Sequence, residues 1–391
     1  PNTVWTKIDD EKVELDAKKL EELFCKNESG KTKSKDKAEP SKPKKISLVS
    51  MKRANNVGIM LARFKIDPVA LRKAILTLDP VVLTPDMVRA LQTAAPLPEE
   101  IEVLNAFDGD RSLLGPVEVF MFEMLSIPHL GQRLAAIETK LRFETEILEL
   151  EESIGVVGDA VEEVRSSKAF VKVLEVILAI GNYLNGSTSR GGAFGFQLDA
   201  LLKLPATRAT GKQMTLIHFL VEFLQSRHRE AAEFYEGLAL SEAAARVSMS
   251  DVGGKLNKLG ARVAAVAKLV TSQREAGGGV EQGDCFVSVF SPFATRATSR
   301  IDQVKANLKA VNDGFLEMAV FFAEKPKRTS VESFFGTIWD FCCLYKKAKG
   351  DIERERLVAE RARKREAKAA KSDKAKKKSK VKKERKLKMK K

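Results

Sequence analysis

Glycine is concentrated in one stretch of the chain, residues 181–196, where five of sixteen residues are glycine. A glycine-rich backbone that leads into a helix can hold phosphate, because its N–H groups can approach the ligand closely. The spacing here fits neither GxxxxGK[ST] nor GxGxxG, and no strand pattern precedes it, so a nucleotide-binding loop is disfavoured. The preceding apolar run, residues 170–180, predicts a buried helix that stops where the glycines begin. On residue types alone, an ordinary corner between two helices is the simpler interpretation.

Side chains that could perform catalysis or bind metal are few and scattered. The four cysteines and three histidines lack the spacing of a zinc site, and no Ser–His–Asp set is apparent. We interpret Cys342 and Cys343, adjacent on an apolar run, as core residues rather than a redox centre. The sequence therefore predicts a protein that is not an enzyme and has no metal site or cofactor.

The positive charge of the chain is confined to two segments. The net charge is +15, yet residues 349–391 alone contain 21 Lys/Arg and 7 Asp/Glu, and residues 26–45 contain 8 Lys and 3 acidic residues. The remaining body is nearly neutral. With 44% hydrophobic residues, no apolar run of about 18 residues and no secretory signal pattern, an intracellular protein with a sizeable core is expected.

Three stretches carry apolar residues at alternating intervals of three and four. They are Ile147, Leu150, Ile154, Val157, Val161 and Val164; Val252, Leu256, Leu259, Val263, Val266 and Val270; and Ile301, Val304, Leu308, Val311, Phe315, Met318 and Phe322. Each apolar stripe is narrow, so each helix needs others to cover it. Separate heptad stretches within one chain predict an antiparallel helical bundle or an internal coiled coil.

The first hundred residues contain two apolar side chains that need explanation. Trp5 lies before an acidic, helix-prone run that is too short to be stable alone, so it requires a partner surface, which could be this chain's own core. Ile59 lies beside the helical stripe formed by Val57, Met60, Leu61 and Phe64, and either a core or an exposed position is possible. After it, Asp67-Pro68, Thr84-Pro85 and Pro98-Glu-Glu100 predict the starts of short helices.

Several of these stretches together resemble the formin homology 2 domain, over residues 3–348. The motifs that carry the resemblance are Gly-Asn-Tyr-Leu-Asn at 181–185, Gly-Ala-Phe-Gly-Phe at 192–196, Leu-Leu-Lys-Leu at 201–204 and Lys-Gln-Met-Thr-Leu-Ile-His-Phe-Leu at 212–220. Val-Trp-Thr-Lys-Ile at 4–8, Asn-Val-Gly-Ile-Met-Leu at 56–61 and Ser-Val-Glu-Ser-Phe-Phe at 330–335 extend it to both ends.

The resemblance implies an all-α, elongated architecture with five parts. These are an N-terminal lasso at 1–25, a flexible basic linker at 26–50, a knob at 51–130, coiled-coil and post subdomains at 131–348, and a basic tail at 349–391 that is helical and then disordered from near Lys371. Members of the family have another tryptophan upstream of Trp5, which this sequence lacks, so we expect a fragment whose dimer is weakened.

The resemblance also implies a function, which is nucleation of actin filaments and processive binding and elongation at the barbed end by a head-to-tail homodimer in the cytoplasmic actin cytoskeleton. Actin would be contacted by Ile59 on the knob and by Arg208 and Lys212 on the post. The dimer interface would comprise Trp5, Gly181, Asn182, Tyr183, Asn185, Gly192, Phe194, Gly195 and Phe196. Profilin-bound actin would be recruited only through an upstream proline-rich segment, which is not found among the 13 scattered prolines.

The basic tail leaves one alternative open. A polycationic segment binds any polyanion through counterion release, so the chain could be a basic helical scaffold for nucleic acid or an anionic membrane. No aromatic residue is interleaved in the tail, which disfavours base stacking and specific nucleic-acid recognition. We favour contact with an acidic protein surface such as the actin filament.

Overall fold

The protein is described here by a computed structural model covering residues 46–188, 191–210, 214–277, 283–326 and 328–388. Most of these residues are helical, and the β-type pairings found among them are two isolated bridges, Ile46 with Leu114 and Arg208 with Thr215. The predicted all-α class is confirmed. None of the described helices combines the length and the apolar character that crossing a bilayer requires.

Contacts divide the chain into two units. The described part of the smaller unit is residues 46–47 and 108–115, in which the Ile46 N–H donates to the Leu113 carbonyl oxygen at 2.9 Å. Asp110 accepts a hydrogen bond from the Ser112 N–H at 2.9 Å and so caps the 3-10 helix Arg111–Leu113. The larger unit comprises residues 48–107 and 116–391 and contains the α-helices named below.

The helices of the larger unit are short at first and then long. They are α1 Met51–Phe64, α2 Pro68–Thr77, α3 Pro85–Ala94, α4 Pro98–Asn105, α5 Pro116–Leu125, α6 Leu130–Ser166, α7 Lys168–Asn185, α8 Leu216–Arg227, α9 Ser241–Ala244, α10 Met249–Glu275, α11 Phe286–Phe321 and α12 Val331–Lys388. A 3-10 helix, Leu198–Ala206, lies between α7 and α8, and two shorter ones, Arg229–Ala231 and Phe234–Leu238, lie between α8 and α9.

Helices α2, α3 and α4 begin at the three prolines that the sequence indicated. Asp67 accepts hydrogen bonds from the N–H groups of Val69 and Ala70 at 3.1 and 3.2 Å, and Thr84 accepts one from the Met87 N–H at 3.3 Å. Proline at the first helical position has no N–H to leave unpaired, so it completes each cap.

The three long helices α6, α10 and α11 form the predicted bundle. Arg133 on α6 donates to Gln273 on α10 at 3.0 Å, and Arg262 on α10 pairs with Glu146 on α6, so these two helices are antiparallel. By contrast, α6 and α11 run parallel, as the 3.6 Å ion pair of Arg165 with Glu317 and the edge-on contact of Phe143 with Phe293 show. After α6 the chain passes through α7 to α9 and runs back along α10. It then reverses once more into α11, which therefore has the same direction as α6.

The larger unit has two hydrophobic cores, and both extend into the bundle. The first joins α1–α5 to the half of the bundle that ends at Ile154 on α6 and Val304 on α11. The second begins at Val157 on α6 and Phe315 on α11 and continues through α7, α8 and the start of α12. The core that carries α1 therefore differs from the core that carries the glycine-rich stretch.

The last helix, α12, is capped by two serines and is longer than the sequence predicted. Its cap is a reciprocal pair, in which the Ser333 N–H donates to the Ser330 hydroxyl at 3.2 Å and the Ser330 N–H donates to the Ser333 hydroxyl at 3.0 Å. Trp339 is half-buried, with the Lys346 ammonium 5.5 Å from its ring. The helix also continues to Lys388 instead of ending near residue 371, because Ala, Lys, Arg and Glu all favour helix.

Candidate functional site

Ile59 points into solvent from α1. Its side chain is 69% exposed, whereas Val57 is buried and Met60, Leu61 and Phe64 are half-buried against the first core. The helix begins at the cap residue Ser50 and ends where Lys65 adopts a left-handed conformation. The core interpretation of Ile59 is therefore wrong, and the residue is available to a partner.

Helix α7 extends further into the glycine-rich stretch than the sequence suggested. It ends at Asn185 rather than near Gly181, so the Gly-Asn-Tyr-Leu-Asn motif forms its last turn and a half. The chain then folds back onto this turn. Asn182 donates from its amide nitrogen to the Ala193 carbonyl oxygen at 2.9 Å, and its amide oxygen accepts from the Ala193 N–H at 2.8 Å. The side chain thus pairs with the returning backbone as a strand would.

Two of the glycines are required by this fold-back. A Cβ at Gly191 would lie 2.7 Å from the Asn185 carbonyl oxygen and 2.9 Å from the Gly186 Cα, so a larger residue cannot fit without moving the backbone. Gly192 has φ of +70°, in the left-handed region that glycine adopts without strain. Gly191 was not among the residues singled out by sequence, because its role depends on contact with the end of α7.

Gly181 and Gly195 differ from these two, since a Cβ at either position would meet no described atom within 4 Å beyond its own neighbours in the chain and in the helix. Both line a cavity of about 270 Å³ together with Asn182, Asn185 and Phe196. Nothing local requires glycine at these positions, and the missing side chains keep the cavity open.

A larger apolar groove lies beside the same helix turn. Its volume is about 670 Å³, and it runs between α7, residues 207–210 and 214–215, and α8. Tyr183, which is 87% exposed, and Leu184 form one wall; Phe219 and Phe223, whose rings stack at 6.0 Å, form the other. The His228 ring, 5.8 Å from Phe223, lines it as well. Exposed apolar surface that lines a groove of this size indicates a binding site.

Arg208 lies on the rim of this larger groove. The loop that carries it is closed by the Ala209 N–H, which donates to Met214, and by the Leu216 N–H, which donates to Thr207, at 2.9 and 2.8 Å. Arg208 is exposed and makes no ion pair with a described residue. Lys212 and Trp5, also predicted as site residues, lie outside the described residues.

The structure thus groups some predicted residues and separates others. Gly181, Asn182, Asn185, Gly195 and Phe196 line the smaller cavity. Tyr183 and Arg208 line the larger groove, while Gly192 and the fully exposed Phe194 line neither. Ile59 belongs to a helix packed on the other core. Leu184 and Phe219 lie within the motifs quoted above but were not predicted as site residues, and Phe223 was not singled out, because only the packing of α7 beside α8 brings the three together.

The adjacent cysteines Cys342 and Cys343 differ in their surroundings. Cys342 is buried in the second core, where burial raises the pKa of its thiol to about 12, whereas Cys343 is exposed, which corrects its assignment to the core. No group of three or more His, Cys, Asp or Glu among residues that the structure describes is placed to hold a metal ion.

Comparison with known proteins agrees with these features. The family model named Formin Homology 2 Domain matches residues 1–346. Formin-like protein 6 of Oryza sativa subsp. japonica is 32% identical over 357 residues, covering 88% of this chain and 26% of that protein. Formin-like protein 20 of Arabidopsis thaliana is 31% identical over 338 residues, covering 86% of this chain and 20% of that protein.

A third relative, Formin-F of Dictyostelium discoideum, is 30% identical over 380 residues, covering 95% of this chain and 31% of that protein. This chain thus spans between a fifth and a third of the length of these relatives. Because the family model covers nearly all of the helical body, including the fold-back loop and the helix that carries Ile59, the chain belongs to the formin homology 2 family.

Proposed function

We propose that two copies of this chain join head to tail, nucleate actin filaments and remain at the barbed end while the filament grows in the cytoplasm. The observation that carries the proposal is the open apolar groove beside the family's glycine-rich motif. A groove of this size with exposed aromatic walls can hold an apolar anchor from another chain, and membership of the formin homology 2 family supports a second copy of this chain as its source.

The occupant of the groove in this proposal is the N-terminal lasso of the second copy, anchored by Trp5. An indole buries a large apolar surface with few rotatable bonds, so tryptophan is favoured at the centre of protein interfaces. The neighbouring cavity, kept open by Gly181 and Gly195, accommodates the chain that follows the anchor. Each post then holds the other copy's lasso, and the dimer closes on itself.

Actin is contacted in this proposal by Ile59 from the knob and by Arg208 with Lys212 from the post. Ile59 and Arg208 are exposed, and they lie on helices or loops held by different cores. A dimer therefore presents two copies of each contact. Holding two actin subunits side by side raises their effective concentration and bypasses the unfavourable early steps of assembly.

Ile59→Ala tests this function directly. In a pyrene-actin assembly assay the wild-type chain should shorten the lag, and Ile59→Ala should lose most of this effect because an apolar anchor is removed from the interface. Val81→Ala is the matched control, since Val81 is also an exposed apolar residue, at 84%. A wild-type chain without effect on assembly, or equal activity of the two variants, would contradict the proposal.

The basic tail adds electrostatic binding to the acidic filament in this proposal. Ile352 is buried in the second core, Lys349 donates to Glu233 at 2.5 Å, and Arg356 lies 3.6 Å from Glu222 on α8. Side chains as far as Arg356 thus contact other elements of the folded body, and a deletion that spares these contacts begins at residue 359.

Deleting residues 359–391 should leave nucleation in place and weaken filament binding at low salt by about tenfold, with a shallower dependence on salt concentration. Filament co-sedimentation across a salt series measures both quantities. If the deletion instead abolishes nucleation while Ile59→Ala is active, the tail carries the function and the scaffold alternative gains support.

A further inference from the structure

A second depression lies on the knob next to Ile59. It is a cleft of about 370 Å³ between α1 and α3, with an apolar floor formed by Val57, Met60 and Ala94. Arg63 on α1 and Arg89 on α3 stand on its two sides. The cleft therefore combines an apolar floor with a basic rim.

The walls of this cleft are fixed by a different arginine. Arg53 on α1 donates to the Thr93 and Ala95 carbonyl oxygens at the end of α3, at 2.9 and 2.8 Å, and to the Glu100 carboxylate on α4, at 2.9 Å. Its guanidinium thus caps the C-terminus of α3 and neutralises Glu100. The cleft is pre-formed, and the charge of Arg53 is already compensated within the chain.

Arg63 and Arg89, by contrast, make no ion pair with any residue in the described ranges. The Arg63 guanidinium lies 5.4 Å from the ring of its neighbour Phe64, and Arg89 is exposed on α3. The acidic side chain on the cleft is Asp86, in the first turn of α3, where a carboxylate stabilises the helix N-terminus. The rim thus carries more positive than negative charge.

Ile59 is next to this cleft by helix geometry. Residues three and four apart lie on one face of a helix, so Ile59 shares its face with Asn56 and Arg63, both of which line the cleft. A partner that covers Ile59 also covers the opening of the cleft.

We propose that the cleft receives an acidic, partly apolar segment of the actin surface, with a carboxylate held between Arg63 and Arg89 and an apolar group on the floor. This inference rests on the proposed function, because it assumes that Ile59 contacts actin. It adds a charged, shape-specific contact to the apolar one and makes knob binding sensitive to salt.

Two substitutions test the cleft without altering Ile59. Arg89→Glu reverses a charge on the rim at an exposed position, and Ala90→Phe fills the cleft while leaving its charge unchanged. Each should weaken barbed-end affinity by about tenfold in a seeded elongation assay, with a smaller salt dependence for Arg89→Glu. Arg296→Glu on α11, also at an exposed arginine without an ion pair to a described residue, should bind as the wild type does.

The outcomes separate this inference from the proposed function. If Ile59→Ala loses barbed-end binding while Arg89→Glu and Ala90→Phe bind as the wild type does, the cleft proposal is overturned and the function stands. If the wild-type chain itself does not bind barbed ends, both are overturned. A photo-crosslinking amino acid at position 89 gives a second measurement, and the cleft proposal requires that it label an acidic actin peptide rather than a neutral or basic one.

Discussion

Replacing Arg133 with methionine should lower the free energy of unfolding by about 3–5 kcal/mol, because it leaves a buried carboxylate without its partner. The Arg133 and Asp284 side chains are 2% and 3% exposed. The guanidinium donates to Asp284 at 2.9 Å and to Gln273 at 3.0 Å, and it lies 4.8 Å from the Phe286 ring. This cluster joins the start of α6, the end of α10 and the residues that precede α11. Chemical denaturation of the whole chain measures the loss.

The matched control is Arg300→Met in the same bundle. Arg300 pairs with Glu151 at 2.7 Å, but its side chain is 46% exposed, so water replaces the lost contact. Arg300→Met should therefore lower the free energy of unfolding by less than about 1 kcal/mol. Equal losses for Arg133→Met and Arg300→Met would show that burial of the first pair does not determine its contribution.

The buried pair of Arg133 and Asp284 also predicts that the stability of the protein depends on pH. Burial alone would raise the pKa of Asp284, but hydrogen bonds from Arg133 and from the Phe286 N–H hold the pKa of this carboxyl below its ordinary value of 3.8. The stabilisation is therefore fully present above pH 3.8 and is lost as the pH falls through the lower pKa of the folded state. The difference in stability between wild type and Arg133→Met should be constant near neutral pH and should narrow in acid.

The features that sequence predicted well are those that depend on near neighbours in the chain. The apolar spacing of Ile147 to Val164 and of Val252 to Val270 requires only that each helix be covered on one side, and these positions are buried. The proline starts of α2, α3 and α4 depend on residues within one turn. Such local rules predicted the helical class and the bundle, whereas they left the position of Ile59 open and only the structure shows that it is exposed.

The features that sequence missed depend on chain segments that meet only in the fold. Gly181 does not end α7, because a single glycine is tolerated in a helix whose other face is buried, as Val176 and Ile177 are. Position 191 requires glycine because a side chain there would clash with the Asn185 carbonyl oxygen. The larger groove exists because the fold places Tyr183 and Phe219 in the same lining. No periodicity reports such pairings, so the motif indicated which stretch to examine, whereas the groove and cavity beside it are visible only in the structure.

Phe219→Asp should convert the dimer that we propose into a monomer, raising its dissociation constant by about 100-fold. Phe219 lines the larger groove and stacks on Phe223, so an occupant such as Trp5 would cover it. An aspartate at this position would be buried against an apolar partner without a counter-charge. Because Phe219 is 45% exposed in the free chain, the substitution should leave folding unaffected, which thermal denaturation checks.

Val171→Asp provides the comparison that makes this test decisive. Val171 is 43% exposed on α7 but does not line the groove, so the same charge is introduced at matched exposure outside the proposed interface. Light scattering across a concentration series should give a dimer for wild type and Val171→Asp and a monomer for Phe219→Asp. A dimer for all three would place the interface elsewhere on the chain. A wild-type monomer would contradict head-to-tail pairing for this chain and, with it, the argument that paired subunits raise the effective concentration of actin.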